Sequence, residues 1–261
     1  MISRKVRERV KHLPIVGPIL HGIYLRLFFE EGTTLKIQDG PLRGHRWIRF
    51  MHTYNDQYVS GAYEADMQHA LVRHLRPGMV FYDVGANAGF FTLLGACLVG
   101  NAGHVVSFEP HPTTARLLKK QVSANGIENV SVVKAAVTKH VGVAQFSDDR
   151  PSVMNSLVAP GQSERMVEVK TTTLDWEAKR YPPPDLIKID VEGAEIDVLQ
   201  GAVELIKRNR PILLVEIHSH AIALQYDEII ADLGYQTESL QGSLISVAGS
   251  GERNVVSRSI N

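Results

Sequence analysis

Residues 79–94 read MVFYDVGANAGFFTLL. A short apolar run ends at Asp83-Val84. A glycine-punctuated turn follows, Gly85-Ala86-Asn87-Ala88-Gly89, and residues 90–99 then read as an apolar helix. The glycines let the backbone turn tightly and approach a ligand, and the start of the helix behind them presents unpaired N–H groups.

The same rhythm continues on the C-terminal side. Strands are expected at 104–109, 130–137, 186–190 and 212–217, with helices at 113–124, 194–207 and 221–233. A closing antiparallel pair, 235–240 and 243–247 around Gly242, is expected last. Near-continuous apolar strands alternating with helices indicate an α/β fold with a mostly parallel sheet covered on both faces. Such sheets bind ligands beyond the carboxyl ends of their strands, so the residues just after each strand are the candidates for chemistry.

On the N-terminal side the pattern is irregular. Residues 35–50 read as two short strands around Asp39-Gly40, and 64–75 as a helix that ends before Pro77-Gly78. Three parts are therefore expected: an extension and cap over 1–77, a ligand-binding domain over 78–250 and a C-terminal tail over 251–261. Residues 148–162, DDRPSVMNSLVAPGQ, read as a polar inserted loop carrying Arg150 and Asn155.

Composition sets limits. The 261 residues are 44% hydrophobic and 21% charged, which excludes disorder for the bulk of the chain. Twenty-eight Lys and Arg balance 28 Asp and Glu, so the basic excess of a nucleic-acid binder is missing and no nucleic-acid partner is expected. The single cysteine, Cys97, fits a reducing, cytoplasmic setting and reads as a small core residue. Residues 13–29, LPIVGPILHGIYLRLFF, are short of the roughly 20 apolar residues of a membrane span and follow a basic stretch. They read as a helix packed on the domain, with peripheral membrane contact through residues 1–29 as the second reading.

The glycine turn departs from the dinucleotide pattern G-x-G-x-x-G, because Asn87 stands where the second glycine would be. Asp83, just before it, suits an ammonium-bearing ligand better than a pyrophosphate. Glu109, 26 residues further on at the end of the second strand, can accept both hydroxyls of a ribose. S-adenosyl-L-methionine meets these requirements, having an amino-acid end, a ribose and an adenine but no phosphate. A nicotinamide-dependent oxidoreductase and an inactive binding protein on the same fold are the alternatives.

A second constellation follows the later strands: Lys188-Ile189-Asp190-Val191-Glu192-Gly193-Ala194-Glu195, and then Glu216-Ile217-His218. Alternation puts Glu216 and His218 on one side of their strand. Asp190, Glu216 and His218 are the candidate catalytic residues, serving as a base for a hydroxyl acceptor or as ligands of Mg2+ or Mn2+. Glu195 reads as an acidic residue favouring the start of the next helix, Lys188 as an ion-pair partner and His220 as a surface residue.

At these residues the sequence resembles the FkbM family of S-adenosylmethionine-dependent methyltransferases. The matching stretches are FYDVGANAGFFTLL (81–94), VVSFEPHP (105–112), TTTLDW (171–176), LIKIDVEGAEIDVLQGA (186–202) and ILLVEIH (212–218), preceded by GAYE (61–64). The resemblance implies a class I methyltransferase, a Rossmann-like doubly wound sheet whose last strand runs antiparallel, carrying an N-terminal helical and hairpin extension. It implies O-methylation of a sugar or another small or medium natural-product-like molecule, with a glycan or glycolipid among the acceptors. By position, Asp83, Gly85, Asn87 and Gly89 would hold the methionine end of the cofactor and Glu109 the ribose. Pro110 and His111 would shape the adenine edge, and Ala135 and Ala136 would flank the adenine. Glu64, Asn155 and Glu192 are expected on the acceptor side.

Overall fold

A computed structural model describes residues 31–50, 53, 55–147, 166–251 and 253–260. The expectations for residues 1–29 and for Asn155 lie outside these. Among the described residues no helix is long and apolar enough to cross a membrane.

The chain opens with an antiparallel pair, β1 (Thr34–Lys36) and β2 (Arg46–Ile48), then helices α1 (Asp56–Ser60) and α2 (Ala65–His74). The α/β body follows: β3 (Val80–Val84), α3 (Phe90–Val99), β4 (His104–Phe108), α4 (Pro112–Ala124) and β5 (Val130–Val133). A small sheet comes next, β6 (Ala136–Val137), β7 (Gly142–Ser147) and β8 (Met166–Thr172), with α5 (Leu174–Glu177) behind it. The body resumes with β9 (Leu186–Ile189), α6 (Glu195–Gln200), α7 (Val203–Asn209), β10 (Ile212–Glu216) and α8 (His220–Asp232). It closes with β11 (Tyr235–Ser239), α9 (Val247–Ser250) and β12 (Asn254–Ser259).

Seven strands form the main sheet in the order β5-β4-β3-β9-β10-β12-β11. All are parallel except β12, which runs antiparallel to β10 and β11. The chain builds outward from β3 through β4 to β5, then returns to add β9 on the other side of β3. The order thus reverses between β3 and β9, and a crevice opens there at the strands' carboxyl ends.

Alternating side chains sort into two cores, one on each face. Phe81 and Leu186 point into the core shared with α3 and α4, whereas Tyr82 and Ile187 point into the one shared with α6 and α8. Ile37, Trp47, Tyr58 and Leu71 belong to the first of these cores. The described residues between 31 and 77 are therefore welded to the domain. Gln121 on α4 bonds both the amide and the carbonyl of Ile48, at 2.8 and 2.7 Å. One turn later Asn125 does the same for Arg46, at 2.8 Å in each direction.

Four expectations are corrected. Within the expected tail over 251–261, residues 254–259 form a strand: β12 lies between β10 and β11, with Val255 and Ser257 fully buried. The closing pair is therefore β11 with β12, and residues 243–247 contribute only a bridge, Glu238 to Leu244. The third strand breaks after Val133, because β6 leaves the main sheet to pair with β8. Cys97 is exposed, its Sγ 3.2 Å from Nε2 of His45.

Candidate active site

The crevice holds a cavity of about 250 Å3. One end is formed by the turn after β3 and the end of β4. Gly85, Asn87, Glu109, Pro110, Ala135 and Ala136 all line it. The other end is formed by Lys188, Asp190, Val191 and Glu192 after β9, with Glu216 at the end of β10. Tyr58 of α1, with Tyr63 and Glu64 just before α2, closes the side.

Gly85 has φ 79°, and a Cβ there would run into the Asp190 carbonyl. The glycine thus lets the β3 turn pass beside the end of β9. Gly89, at φ 94°, precedes α3 and lies against Leu118, so it shapes the turn without lining the cavity. Four non-glycine residues adopt positive φ among the described residues, and three of them, Glu64, Asn87 and Glu192, line the cavity. Left-handed backbone at such side chains is costly and tends to be retained where it aims a functional group.

Glu109 is buried, and each of its oxygens receives a backbone amide. Oε2 accepts from Asn87 at 3.0 Å and Oε1 from His111 at 2.8 Å. Burial nevertheless pushes its carboxyl up to about 7, against the lowering effect of those two amides. Each oxygen keeps a further lone pair for a hydroxyl donor.

Asp83 departs from the expected role. It is fully buried and does not line the cavity. Its Oδ2 accepts the Thr92 hydroxyl at 2.7 Å, and its Oδ1 lies 3.8 Å from the Lys188 ammonium. The reason is register: Asp83 stands opposite Lys188 in the β3–β9 ladder. Lys188 donates to Oδ2 of Asp190 at 3.0 Å and lies 5.1 Å from the centre of the Phe91 ring. Burial opposes the ammonium charge, but Asp190, Asp83 and Glu64 outweigh it and hold its pKa above the usual range. Asp83 thus anchors Lys188, which fixes one oxygen of Asp190.

His218 stands at the edge of the lining, enclosed by carboxylates. Its Nδ1 is 2.5 Å from Oε1 of Glu195, which is fully buried. Its Nε2 lies 3.8 Å from Asp190 Oδ1, 3.8 Å from Glu216 Oε1 and 3.4 Å from Glu192 Oε2. Burial works against the imidazolium, yet the bond to Glu195 and the surrounding carboxylates raise its pKa to about 9. That shift favours the charged ring at neutral pH. One ligand atom each from Asp190, Glu216 and His218 lie within 4.8 Å of one another, but the ring would have to give up its Nε2 proton before that atom could bind a cation.

Sequence reading missed two parts of this arrangement. Glu195 carried no sign of its tie to a histidine 23 positions away. The wall formed by Tyr58, Tyr63 and Phe91, with Tyr58 and Tyr63 rings 4.5 Å apart, had one available signal: aromatic residues just before and inside GAYE. The ion-pairing role expected of Lys188 and the surface position expected of His220 agree with the structure.

The sheet order, its antiparallel strand β12 and a crevice at the β3–β9 switch define a class I methyltransferase fold, Rossmann-like in its parallel half. Residues 83–237 match the Methyltransferase FkbM domain, and the chain belongs to that family. It is 26% identical over 182 residues to the hexuronic acid methyltransferase AglP of Haloferax volcanii, covering 67% of this chain and 71% of that one. It is 24% identical over 134 residues to the protein-L-isoaspartate O-methyltransferase of Caenorhabditis elegans, covering 51% of this chain and 59% of that one. Among solved structures, a methyltransferase FkbM from Methylobacillus flagellatus superposes with a TM-score of 0.49 at 16% identity. That match covers 80% of this chain, which spans 56% of the other's length.

Proposed function

We propose that the protein transfers the methyl group of S-adenosyl-L-methionine to a hydroxyl oxygen of a sugar or similar hydroxylated small molecule. The carrying observation is the buried Glu109 carboxylate, fixed by two backbone amides at one end of a cavity whose other end gathers Asp190, Glu192 and Glu216. Glu109 accepts the ribose hydroxyls, the turn from Gly85 to Asn87 receives the amino-acid end, and Ala135 and Ala136, which line the cavity, flank the adenine.

Methyl transfer is an in-line displacement at carbon. The acceptor oxygen forms a bond to the methyl carbon, the carbon–sulfur bond breaks, and neutral S-adenosylhomocysteine leaves. The sulfonium supplies the leaving group, so the protein's tasks are alignment and proton removal. Asp190 Oδ1 takes the acceptor proton, while its Oδ2 is held by Lys188. The charged His218 beside it offsets the carboxylates crowded there. With the His218 proton displaced, a divalent cation on Asp190, Glu216 and His218 would acidify the hydroxyl instead, and chelator sensitivity distinguishes the two routes. The family membership and the sugar acid named for the archaeal relative support this reading.

The test is a methylation assay with hydroxylated acceptors, read by mass spectrometry as a 14 Da gain with release of S-adenosylhomocysteine. Hydride transfer from a nicotinamide cofactor, with no methylated product, would replace this reading with the oxidoreductase one.

A further inference from the structure

The acceptor end of the cavity has a charge pattern that selects among hydroxylated molecules. Glu64, Asp190, Glu192 and Glu216 all line it, and Lys188 is the one Lys or Arg among the described lining residues. That ammonium is already committed to Asp190 at 3.0 Å and Asp83 at 3.8 Å. Among the described residues, the other cations beside it already face carboxylates: His218 lies among four, and Arg253 pairs with Glu216 at 3.4 Å. Oε2 of Glu64 is buried without a hydrogen-bond partner, and both Glu64 and Glu192 are held at positive φ, 41° and 52°. An unsatisfied buried carboxylate oxygen in a cavity wall calls for a donor from the ligand. Tyr58 and Tyr63 supply an aromatic side suited to the C–H face of a sugar ring.

Resting on the methyl-transfer reading, we infer that the acceptor carries no carboxylate or phosphate at the end that enters this pocket; it is a neutral or amine-bearing polyol. Its hydroxyl or ammonium hydrogens satisfy Glu64 and Glu192. A uronate would place a fifth carboxylate among four, with no uncommitted cation among the described residues to receive it. The specificity of this chain therefore differs from the sugar acid named for its archaeal relative.

The experiment uses the full chain. Binding of S-adenosylhomocysteine is first measured by calorimetry. With that ligand saturating, glucose, glucosamine and glucuronate are compared by saturation-transfer NMR. Glucose and glucosamine should bind, with glucuronate weaker by about tenfold or more. Glu64→Gln and Glu192→Gln should each narrow that gap by about threefold or more, since each removes one repelling charge at close range. Glucuronate binding as well as glucose, an unchanged gap in both variants, or no binding of any of the three would overturn the proposal while leaving the cofactor reading intact. Failure of S-adenosylhomocysteine to bind would overturn both.

Discussion

Nδ1 of His218 lies 2.5 Å from Oε1 of Glu195, and that carboxylate is sealed from solvent. The contact fixes the ring so that Nε2 faces Asp190 and Glu216. Such a buried carboxylate behind a histidine sets both the ring's orientation and its charge. Asp190→Asn and His218→Gln are nearly isosteric. Each should lower kcat by tenfold or more while holding S-adenosylhomocysteine affinity within about tenfold, or 1.4 kcal/mol. Steady-state kinetics and calorimetry on the same preparations check this; parent-rate turnover in both variants would remove the pair from the mechanism.

Glu109→Ala removes the proposed ribose acceptor and strands the amides of Asn87 and His111. Hydrogen bonds to charged groups contribute roughly 1.5–3 kcal/mol each, so S-adenosylhomocysteine affinity should fall by about tenfold to a hundredfold or more. Calorimetric affinity equal to the parent's would exclude the assignment.

The Glu109 carboxyl, raised to about 7 by burial, gives a sign for pH dependence. A raised folded pKa means that the folded state holds the proton more tightly than the unfolded chain. The stability from this group is full below the unfolded value near 4.5 and is lost as pH rises through about 7. Ribose hydroxyls favour the ionised form, so cofactor affinity should run the other way, falling as pH drops below 7. The limit is about tenfold per pH unit, with proton release on binding between pH 5 and 7. Calorimetry in buffers of different ionisation enthalpy reads that release, and Glu109→Gln should abolish it.

Lys188→Met leaves Asp83 and Asp190 without their shared cation. Removing one partner of a buried ion pair typically costs about 3–5 kcal/mol. The variant should melt on the order of 10 °C lower. Asp83→Asn added to it should recover part of the loss. A Tm unchanged by Lys188→Met would show that the ammonium is not what holds these carboxylates.

Much of this was legible in the sequence because strand ends carry the chemistry. The turn at 85–89, Glu109, Asp190 and Glu216 each follow an apolar strand, and the fold brings strand ends together whatever lies between. What stayed hidden has physical causes. The segment 254–259 read as a tail because Ser257 interrupts its apolar run; in the fold that serine is buried but satisfied by the hydroxyls of Tyr226 at 2.7 Å and Thr237 at 2.8 Å. Asp83 looked ligand-facing because it precedes the turn, yet pairing of β3 with β9 sets it opposite Lys188. Glu195 looked like a helix-start acid because nothing local reveals a partner on another strand. Cys97 sits in an apolar helix, but on the side that meets solvent beside His45.

The claim that this cavity is built for S-adenosylmethionine is tested most directly by titrating the unmodified chain with S-adenosylhomocysteine and, separately, with NAD. The account predicts saturable one-to-one binding of S-adenosylhomocysteine, with about 2.7 kcal/mol of added stability at a hundredfold excess over Kd, and no response to NAD. Saturable binding of NAD with none of S-adenosylhomocysteine would contradict it.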